Sequence, residues 1–335
     1  MSLLVRTDST CSPSPIPVDD HLSRLGRASV VRDLLDGLLS QPRRISSMFF
    51  YDAEGSRLFE EITRLPEYYP TRTEIPLIAA AAQRVADELD GTDIVELGSG
   101  DCTKISAFLD EVPQRVRESL RYLPVDVSRA AIEDSASDLV ERFPRLAVHG
   151  VLADCRRQFD VIPRRGRRLI CFFGSTLGNF EREDGLDFMK DLGAAMRPGD
   201  GLLLGLDRVK DPAVLERAYN DRRGVTAAFN RNILNVVNAL AGTDLDPAAF
   251  GHVAFYEPRH ARIEMHLRAE RDVIATSPHL PRPLSLARGE TIHTENSHKF
   301  TPAGVDVLAD RGGLRVREVY TDPNDWFFLV HYVKD

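Results

Sequence analysis

Apolar residues between positions 22 and 39 recur every three or four residues, which is the spacing of an amphipathic helix. They are Leu22, Leu25, Val30, Val31, Leu34, Leu35, Leu38 and Leu39. Pro42 follows shortly after, as is typical of the end of a helix. Two more helices are predicted, over residues 56–64, where Pro66 sets the limit, and over the alanine-rich residues 74–89.

Short and almost uninterrupted apolar runs then alternate with helical segments. Five of these runs are predicted strands, at residues 94–97, 122–125, 146–153, 169–173 and 202–206. Strands that are apolar on both faces and alternate with helices indicate a parallel sheet covered by helices on both sides. We therefore expect an α/β fold.

The pattern changes after Asp207. It predicts one long helix over residues 215–240, alternating strands at 252–256 and 263–269, and a proline-rich connector at 277–283. A last helix begins at Thr301-Pro302 and ends at Gly312-Gly313. Two strands follow, at residues 314–320 and 326–333, and this hairpin would add one antiparallel strand to the parallel set.

This order of elements predicts two domains, each built from separate stretches of the chain. Residues 73–207 and 300–335 would form the domain with the parallel sheet. Residues 21–72 and 208–299 would form a second, discontinuous α+β domain. Residues 1–20 contain Ser-Pro-Ser-Pro and little apolar periodicity, so we expect them to be a disordered leader without the features of a signal peptide.

Composition argues against some classes of partner and location. The net charge is −8 and the pI is near 5.7, which argues against nucleic acid as a partner, because non-specific binding to phosphates needs clustered Lys and Arg. No run approaches the roughly 20 apolar residues that span a bilayer, so no membrane segment is expected. The four cysteines are scattered without metal or disulfide spacing, which predicts reduced thiols and a cytoplasmic location. A small-molecule substrate is favoured.

The segment with the clearest chemistry is Asp93-Ile-Val-Glu-Leu-Gly-Ser-Gly-Asp-Cys-Thr-Lys104. A buried strand, a glycine turn and a helix in this order let the backbone approach a nucleotide closely. A dinucleotide fingerprint would need a third glycine where Thr103 stands, which weakens that alternative. The other alternative is the E-x-G-x-G turn of S-adenosylmethionine-dependent methyltransferases. In that case Glu96 closes the first strand and Asp126 closes the second, where it could bind both ribose hydroxyls.

Further candidates follow the next strands, because ligands of open α/β sheets bind at the carboxyl ends of the strands. Asp154 could bind an adenine amino group. Lys104 is either a solvated helix residue or a contact for the methionine carboxylate of the cofactor. The segment Gly174-Ser-Thr-Leu-Gly-Asn179 lacks G-x-S-x-G spacing, which argues against a serine hydrolase. It is either an ordinary glycine turn or the place where a substrate amine meets a methyl donor.

A second candidate lies in the segment that precedes the last helix. His293, Glu295 and Ser297 are spaced by two, so they would share one face of an extended strand. His298 would face away, and no other ligand cluster is evident, so no metal is expected. Glu295 and Ser297 could instead bind a polar ring that has a donor and an acceptor, or could belong to a surface strand edge. Four tyrosines of the second domain are either core residues or the lining of a site: Tyr51, Tyr68, Tyr69 and Tyr219.

Several longer runs together resemble the L-histidine Nα-methyltransferases of ergothioneine biosynthesis, from about residue 42 to the end of the chain. These runs are Phe50-Tyr-Asp-Ala-Glu-Gly-Ser56, Ile62-Thr-Arg-Leu-Pro-Glu-Tyr-Tyr-Pro-Thr-Arg-Thr-Glu74, Val95-Glu-Leu-Gly-Ser-Gly100, Gly174-Ser-Thr-Leu-Gly-Asn179, Gly224-Val-Thr-Ala-Ala-Phe-Asn-Arg-Asn232 and Arg262-Ile-Glu-Met265. The resemblance implies a class I methyltransferase domain with a Rossmann-like sheet, a substrate-binding second domain, and transfer of three methyl groups from S-adenosylmethionine to the α-amine of histidine, giving hercynine.

The resemblance also implies roles for individual residues. Those for the cofactor are Gly98, Lys104, Asp126, Asp154 and Cys155, the last at a position where the family commonly has an aromatic residue. Those for the substrate are Tyr51, Glu295 and Ser297 at the imidazole, Asn179 and Tyr219 at the carboxylate, Tyr68 near the amine and Phe59 facing the growing ammonium. Tyr51 or a bound water would accept the proton, and Tyr51 and Asn179 are the candidate catalytic residues.

Two other functions remain open at this point. One is methylation of another free amino acid or an aromatic amine in a natural-product pathway. The other is a non-catalytic protein that binds the cofactor on the same fold. We expect the protein to be a monomer, whichever of these functions it has.

Overall fold

The structure, a computed structural model, describes residues 16–22 and 27–335. Its strands, in chain order, are β1 (Val18–Asp20), β2 (Arg43–Arg44), β3 (Asp93–Leu97), β4 (Arg121–Asp126), β5 (Ala147–Val148), β6 (Gly150–Leu152), β7 (Arg168–Phe172), β8 (Gly201–Asp207), β9 (Phe250–Glu257), β10 (Arg262–Ala269), β11 (Val273–Ala275), β12 (Leu284–Leu286), β13 (Thr291–His298), β14 (Arg315–Thr321) and β15 (Phe327–Val333). Its α-helices are α1 (Arg27–Leu39), α2 (Ala53–Thr63), α3 (Pro70–Val85), α4 (Thr103–Asp110), α5 (Gln114–Arg117), α6 (Arg129–Arg142), α7 (Arg182–Ala195), α8 (Pro212–Tyr219), α9 (Val225–Ala241) and α10 (Pro302–Gly312).

The described chain divides into two compact units. The larger unit comprises residues 16–22, Pro70–Val209 and Lys299–Asp335. The smaller unit comprises residues 27–69 and Lys210–His298. No helix in the described residues combines the length and the apolar character needed to cross a membrane.

The larger unit contains a sheet in the order β1-β6-β4-β3-β7-β8-β15-β14, with β5 beside β4. The strands from β1 to β8 in this order run parallel, and β15 runs antiparallel to both of its neighbours. Alternate strand residues point to opposite faces and build two apolar layers. One layer includes Ile78, Ile105 and Ile132 from α3, α4 and α6, and the other includes Phe188 and Leu308 from α7 and α10. The predicted mostly parallel α/β fold with one antiparallel strand is confirmed.

The start of the described chain differs from the prediction. Residues 18–20 were expected to be disordered, but they form β1, which pairs with β6 through Val18 and Gly150. A side chain at position 150 would not fit, because its Cβ would lie 2.6 Å from a methyl of Ile132. The expectation is therefore wrong for residues 18–20, because pairing to an existing sheet edge can order even a short and largely polar strand. Residues 1–15 lie outside the described residues.

The smaller unit contains a four-stranded sheet in the order β2-β13-β10-β9 and a separate pair of strands, β11 and β12. Helices α8 and α9 pack on one face of this sheet, where Ile263, Met265 and Leu267 are buried. The single helix predicted over residues 215–240 is wrong, because the chain breaks between α8 and α9. Asp221 accepts hydrogen bonds from the backbone N–H groups of Val225 and Thr226, which caps the start of α9.

A β-bulge interrupts the pairing of β10 with β13. Met265 pairs with Glu295, and the adjacent His266 pairs with His293, so Thr294 is the extra residue. Paired residues share a face and consecutive residues do not. Glu295 therefore lies on the helix-covered face and His293 lies on the opposite face, so the expectation that these two side chains share one face is wrong.

Candidate active site

The glycine turn after β3 has empty space where the side chains of other residues would lie. Gly98 and Gly100 have φ angles of +65° and +50°, in the left-handed region that favours glycine. A Cβ at either position would meet nothing within 4 Å. The Gly98 N–H donates to the carbonyl of Val125 at the end of β4 (2.8 Å), which fixes the turn to the neighbouring strand. The turn therefore leaves backbone accessible to a ligand at the carboxyl edge of the sheet.

Asp126 ends β4 beside this turn. Its Oδ2 accepts a hydrogen bond from the Gly100 N–H (3.2 Å) and its Oδ1 accepts one from the Ser128 N–H (2.8 Å). Burial raises the pKa of the Asp126 carboxyl, and these two hydrogen bonds act in the opposite direction. The carboxylate is thus held in a fixed orientation and keeps acceptor capacity for a diol.

Asp154 and Cys155 follow β6, as predicted. Asp154 forms an ion pair with Arg156, with both guanidinium-to-carboxylate distances near 3 Å. Burial would raise the pKa of Asp154, but the hydrogen bonds from Arg156 offset it and the pKa lies below its usual value. Burial raises the pKa of the Cys155 thiol to about 12, so the thiol is neutral. The contacts of both residues with adenine stay predictions.

Lys104 has an acidic partner that is distant in sequence. Its Nζ lies 3.0 Å from Oε2 of Glu74, whose side chain is fully buried in α3. The same carboxylate accepts the Gly174 N–H at 2.8 and 2.9 Å. At position 205 a side chain would displace this carboxylate, because a Cβ would lie 2.0 Å from Oε1 of Glu74. Lys104 is therefore not a solvated helix residue. Glu74, for which no role in the site was predicted, joins two segments of the candidate site.

The segment after β7 is a strained turn tied to the end of β8. Ser175 has a φ of +56°, and its Oγ accepts a hydrogen bond from the Asp207 N–H (2.9 Å). A 3-10 turn over Thr176–Asn179 follows and ends at the half-buried Asn179. Because a non-glycine residue at positive φ costs energy, the hydrogen bonds around this turn are needed to hold it. The predicted contact of Asn179 with a substrate carboxylate is compatible with this position and stays a prediction.

In the smaller unit, the predicted aromatic residues come together with one that was missed. The ring of Tyr51 lies 5.7 Å from that of Phe59, and the ring of Phe59 lies 6.2 Å from that of Tyr68. Phe229 of α9 lies 6.0 Å from Tyr51 and 5.9 Å from Phe59. We call Tyr51, Phe59, Tyr68 and Phe229 the aromatic cluster. Phe229 belongs to one of the runs that carried the family resemblance, which was the available signal for it.

Local geometry explains how Tyr51 reaches this cluster. Asp52 caps α2 by accepting the Gly55 N–H (2.6 Å), and the Nδ2 of Asn232 donates to the same oxygen (2.7 Å). A Cβ at position 55 would lie 1.7 Å from the carbonyl oxygen of Phe50. The tight turn that presents Tyr51 therefore requires glycine at position 55.

A polar group adjoins the aromatic cluster through Tyr68, whose ring lies 6.4 Å from that of Tyr219. The buried hydroxyl of Tyr219 donates to Oγ of Ser297 (2.8 Å). Glu295 lies two residues before Ser297 on the helix-covered face of the sheet. The smaller unit thus brings aromatic rings and two hydroxyls into one region, and Glu295 shares a strand face with one of these hydroxyls. This suits a small ligand with a polar ring and a positive charge.

The sheet topology, the open glycine turn and the acid that ends β4 define the larger unit as a class I methyltransferase that uses S-adenosylmethionine. Comparison with known proteins identifies the family. The chain belongs to the histidine-specific, S-adenosylmethionine-dependent methyltransferases, whose family description matches residues 30–334.

Curated relatives agree with this assignment. The chain is 41% identical to a histidine N-alpha-methyltransferase of Mycolicibacterium smegmatis, over 89% of this chain and 92% of the relative. It is 40% identical to a protein of the same name from Mycobacterium tuberculosis, over 92% of this chain and 96% of the relative. It is also 33% identical to ergothioneine biosynthesis protein 1 of Neurospora crassa, over 85% of this chain and 32% of that longer protein.

Proposed function

We propose that this enzyme transfers three methyl groups from S-adenosylmethionine to the α-amino group of L-histidine and so forms hercynine, the first step of ergothioneine biosynthesis. The observation that carries the proposal is the hydrogen bond between Tyr219 and Ser297 next to the aromatic cluster, in a chain of the histidine-specific family. Glu295 lies two residues before Ser297 on the same face of β13. The polar group suits an imidazole, and the rings suit an ammonium.

The residues at the carboxyl edge of the larger unit fit S-adenosylmethionine. The open glycine turn leaves room for the backbone to approach the ligand, and the hydrogen bond from Gly100 fixes the Asp126 carboxylate, which would accept hydrogen bonds from the ribose hydroxyls. When bound, S-adenosylmethionine supplies an electrophilic methyl group on a sulfonium. Gly98, Lys104, Asp126, Asp154 and Cys155 are the residues that we propose to hold it.

Recognition of histidine would rest on hydrogen bonds to the imidazole. The Tyr219 hydroxyl donates to Ser297. In the proposed complex the Ser297 hydroxyl donates to one ring nitrogen, and Glu295 accepts from the other. A polar site of this kind rejects a ligand without matching groups, because the groups of the site are then left unpaired. Tyr219 and Asn179 remain the proposed contacts of the carboxylate.

The aromatic cluster would serve the later methylations. Each transfer removes an N–H group, and the last product has a quaternary ammonium that cannot donate a hydrogen bond. Aromatic faces attract such a cation without a donor. Phe59, Tyr68 and Phe229 would therefore bind the amine at each stage, while Tyr51 or a bound water accepts the released proton.

Orientation outweighs deprotonation in this reaction. Holding an amine neutral two units below its pKa costs about 2.7 kcal/mol, whereas alignment of the reacting groups can be worth about 7–11 kcal/mol. The chain therefore needs no strong base, and its main task is to hold the amine with its lone pair directed at the methyl group.

Methyl transfer from labelled S-adenosylmethionine to each of the twenty amino acids tests the proposal. We expect histidine to be preferred and to gain three methyl groups by mass spectrometry. Phenylalanine, which lacks ring nitrogens, should be lower in kcat/KM by roughly 10⁴-fold. Glu295→Ala should lose this discrimination, and Glu257→Ala, an acid outside the proposed site, is the matched control. If the protein methylates another amine faster than histidine, histidine is not its substrate. If it binds the cofactor but methylates no amine, it is a non-catalytic protein.

A further inference from the structure

Two histidines and a glutamate meet on the sheet face opposite Glu295. Glu264 and His266 of β10 and His293 of β13 each offer one ligand atom, and these atoms all lie within 4.8 Å of one another. Nε2 of His266 lies 2.9 Å from Oε2 of Glu264, and the rings of His266 and His293 have centroids 4.9 Å apart. We call these three residues the β10–β13 triad. No ligand cluster was evident here in the sequence, and the structure brings these three residues together.

The bulge at Thr294 creates the β10–β13 triad. Glu264 and His266 are two residues apart on β10 and share a face. His293 joins them only because the extra residue shifts it to the position opposite His266. No short sequence motif contains all three residues, which explains why sequence analysis found no ligand set here.

Neighbouring side chains orient two of the three residues. Arg262 donates from Nε and Nη2 to Oε1 of Glu264, at 2.8 and 2.6 Å, which leaves Oε2 directed at His266. The ring of Phe255 stacks on that of His266, with centroids 5.5 Å apart and an interplanar angle of 11°. Partners that fix the orientation of ligands are typical of metal sites. All three residues of the triad are half-buried, so a cation from solvent can reach them.

We propose that the β10–β13 triad binds a divalent first-row transition metal, with Zn²⁺ as the reference cation. Two imidazole nitrogens and one carboxylate oxygen form a ligand set that Zn²⁺ favours, and a water can complete the tetrahedron. Bonds of about 2 Å place tetrahedral ligand atoms roughly 3.3 Å apart, so small side-chain rotations close the site. Mg²⁺ is disfavoured, because it prefers oxygen ligands.

The metal would act as a clamp between β10 and β13 at the bulge. It lies on the other face of the strand from Glu295 and Ser297, so it takes no part in methyl transfer. The proposal rests on the geometry of the β10–β13 triad and does not depend on the proposed function.

Calorimetric titration of Zn²⁺ into the full-length, tag-free and chelator-treated protein tests the proposal. We expect one site per chain and a rise in Tm when the metal is added. His293→Gln and Glu264→Gln should each weaken binding at least ~10–100-fold, the scale on which even an outer partner of a metal ligand matters. His279→Gln, which alters an exposed histidine in the connector after β11, should bind as the parent does.

Two further measurements make the result independent of folding and of activity. The far-UV circular dichroism of each metal-free variant should match that of the parent, and Co²⁺ should give visible absorption bands in the parent that His293→Gln loses. Mg²⁺ should give no heat. If the folded His293→Gln variant binds Zn²⁺ as tightly as the parent, or if the parent binds none, the triad is a polar network only and the proposal fails.

Discussion

At the scale of single residues, Glu74 joins separate segments of the larger unit, although no role in the site was predicted for it. Its buried carboxylate pairs with Lys104 and accepts the Gly174 N–H, and Gly205 leaves the space that the carboxylate occupies. A buried charge of this kind stabilises the fold only while its partners are in place. Glu74 therefore fixes both the position of the Lys104 ammonium and that of the segment that ends at Asn179.

Removing the charge of Glu74 should destabilise the larger unit. In Glu74→Gln the ammonium of Lys104 loses its partner, and we expect a loss of about 3 kcal/mol in the free energy of unfolding, the lower end of the range for a broken buried pair because Lys104 is partly exposed. Urea unfolding followed by the fluorescence of Trp326, the single tryptophan, which lies in the larger unit, measures it.

Gly205→Ala is a second route to the same loss, because the added methyl would displace Glu74. Combining Glu74→Gln with Lys104→Met removes both charges and should recover part of the stability. A Glu74→Gln protein as stable as the parent would show that the ion pair contributes nothing.

At the scale of elements, the bulge decides which side chains of β13 face the helix-covered side. Thr294 holds the bulge, since its Oγ1 lies 2.7 Å from Oδ1 of Asn230 in α9 and 3.0 Å from the carbonyl oxygen of Met265 in β10. Both contacts are buried, so the orientation of Glu295 and Ser297 depends on a threonine that does not belong to the proposed site.

Thr294→Val should separate this effect from a change of shape, because valine has the same outline without the hydroxyl. Leaving the buried acceptors unpaired should cost about 1–3 kcal/mol, and the KM for histidine should rise as Glu295 shifts. Thermal unfolding followed by circular dichroism and steady-state kinetics measure the two effects. Thr291→Val, at an exposed position of the same strand, is the matched control. If Thr294→Val lowers the stability but leaves the KM for histidine unchanged, the bulge does not affect histidine binding.

The sequence was informative wherever a pattern is local. Periodicity located the strands of the parallel sheet and the helices around them, and the glycine turn with its acid at position 126 pointed to the cofactor. Local patterns did not predict structure that depends on contacts between distant segments of the chain. The bulge at Thr294 depends on pairing with β10, β1 depends on the edge offered by β6, and the partner of Lys104 lies 30 residues earlier in the chain. No periodicity within one segment reports such contacts.

The break between α8 and α9 is an intermediate case. Both helices are apolar on the face that packs on the sheet, so periodicity alone joined them into one. Asp221 and Gly224, which has a φ of +72°, carry the signal for a new helix start. Giving more weight to these capping residues than to the apolar spacing would have predicted the break.

At the scale of the whole molecule, buried ionisable groups set how stability depends on pH. Burial raises the pKa of Glu96 to about 8, although the hydroxyl of Tyr122, 2.5 Å away, acts in the opposite direction. Burial lowers the pKa of His331 to about 4. The two groups oppose each other at acidic pH, since His331 costs stability as the pH falls from 6.5 and Glu96 costs stability as the pH rises from 4.5. Above pH 6.5 His331 is largely neutral in both the folded and the unfolded chain and has little effect on stability, whereas Glu96 continues to lower it.

Between pH 6.5 and 8 the free energy of unfolding should therefore fall through Glu96. The unfolded chain has already released this proton, whereas the folded chain keeps it until the pH passes about 8, so each pH unit favours the unfolded state by about 1.4 kcal/mol at most. Over this interval the loss should be about 1.6 kcal/mol, because the slope decreases as the pH approaches 8. Glu96→Gln, which cannot ionise, should abolish it. Urea unfolding followed by Trp326 fluorescence at several pH values provides the measurement, with Glu183→Gln on the exposed start of α7 as the control. A Glu96→Gln protein with the same pH slope as the parent would mean that Glu96 is ionised in the fold.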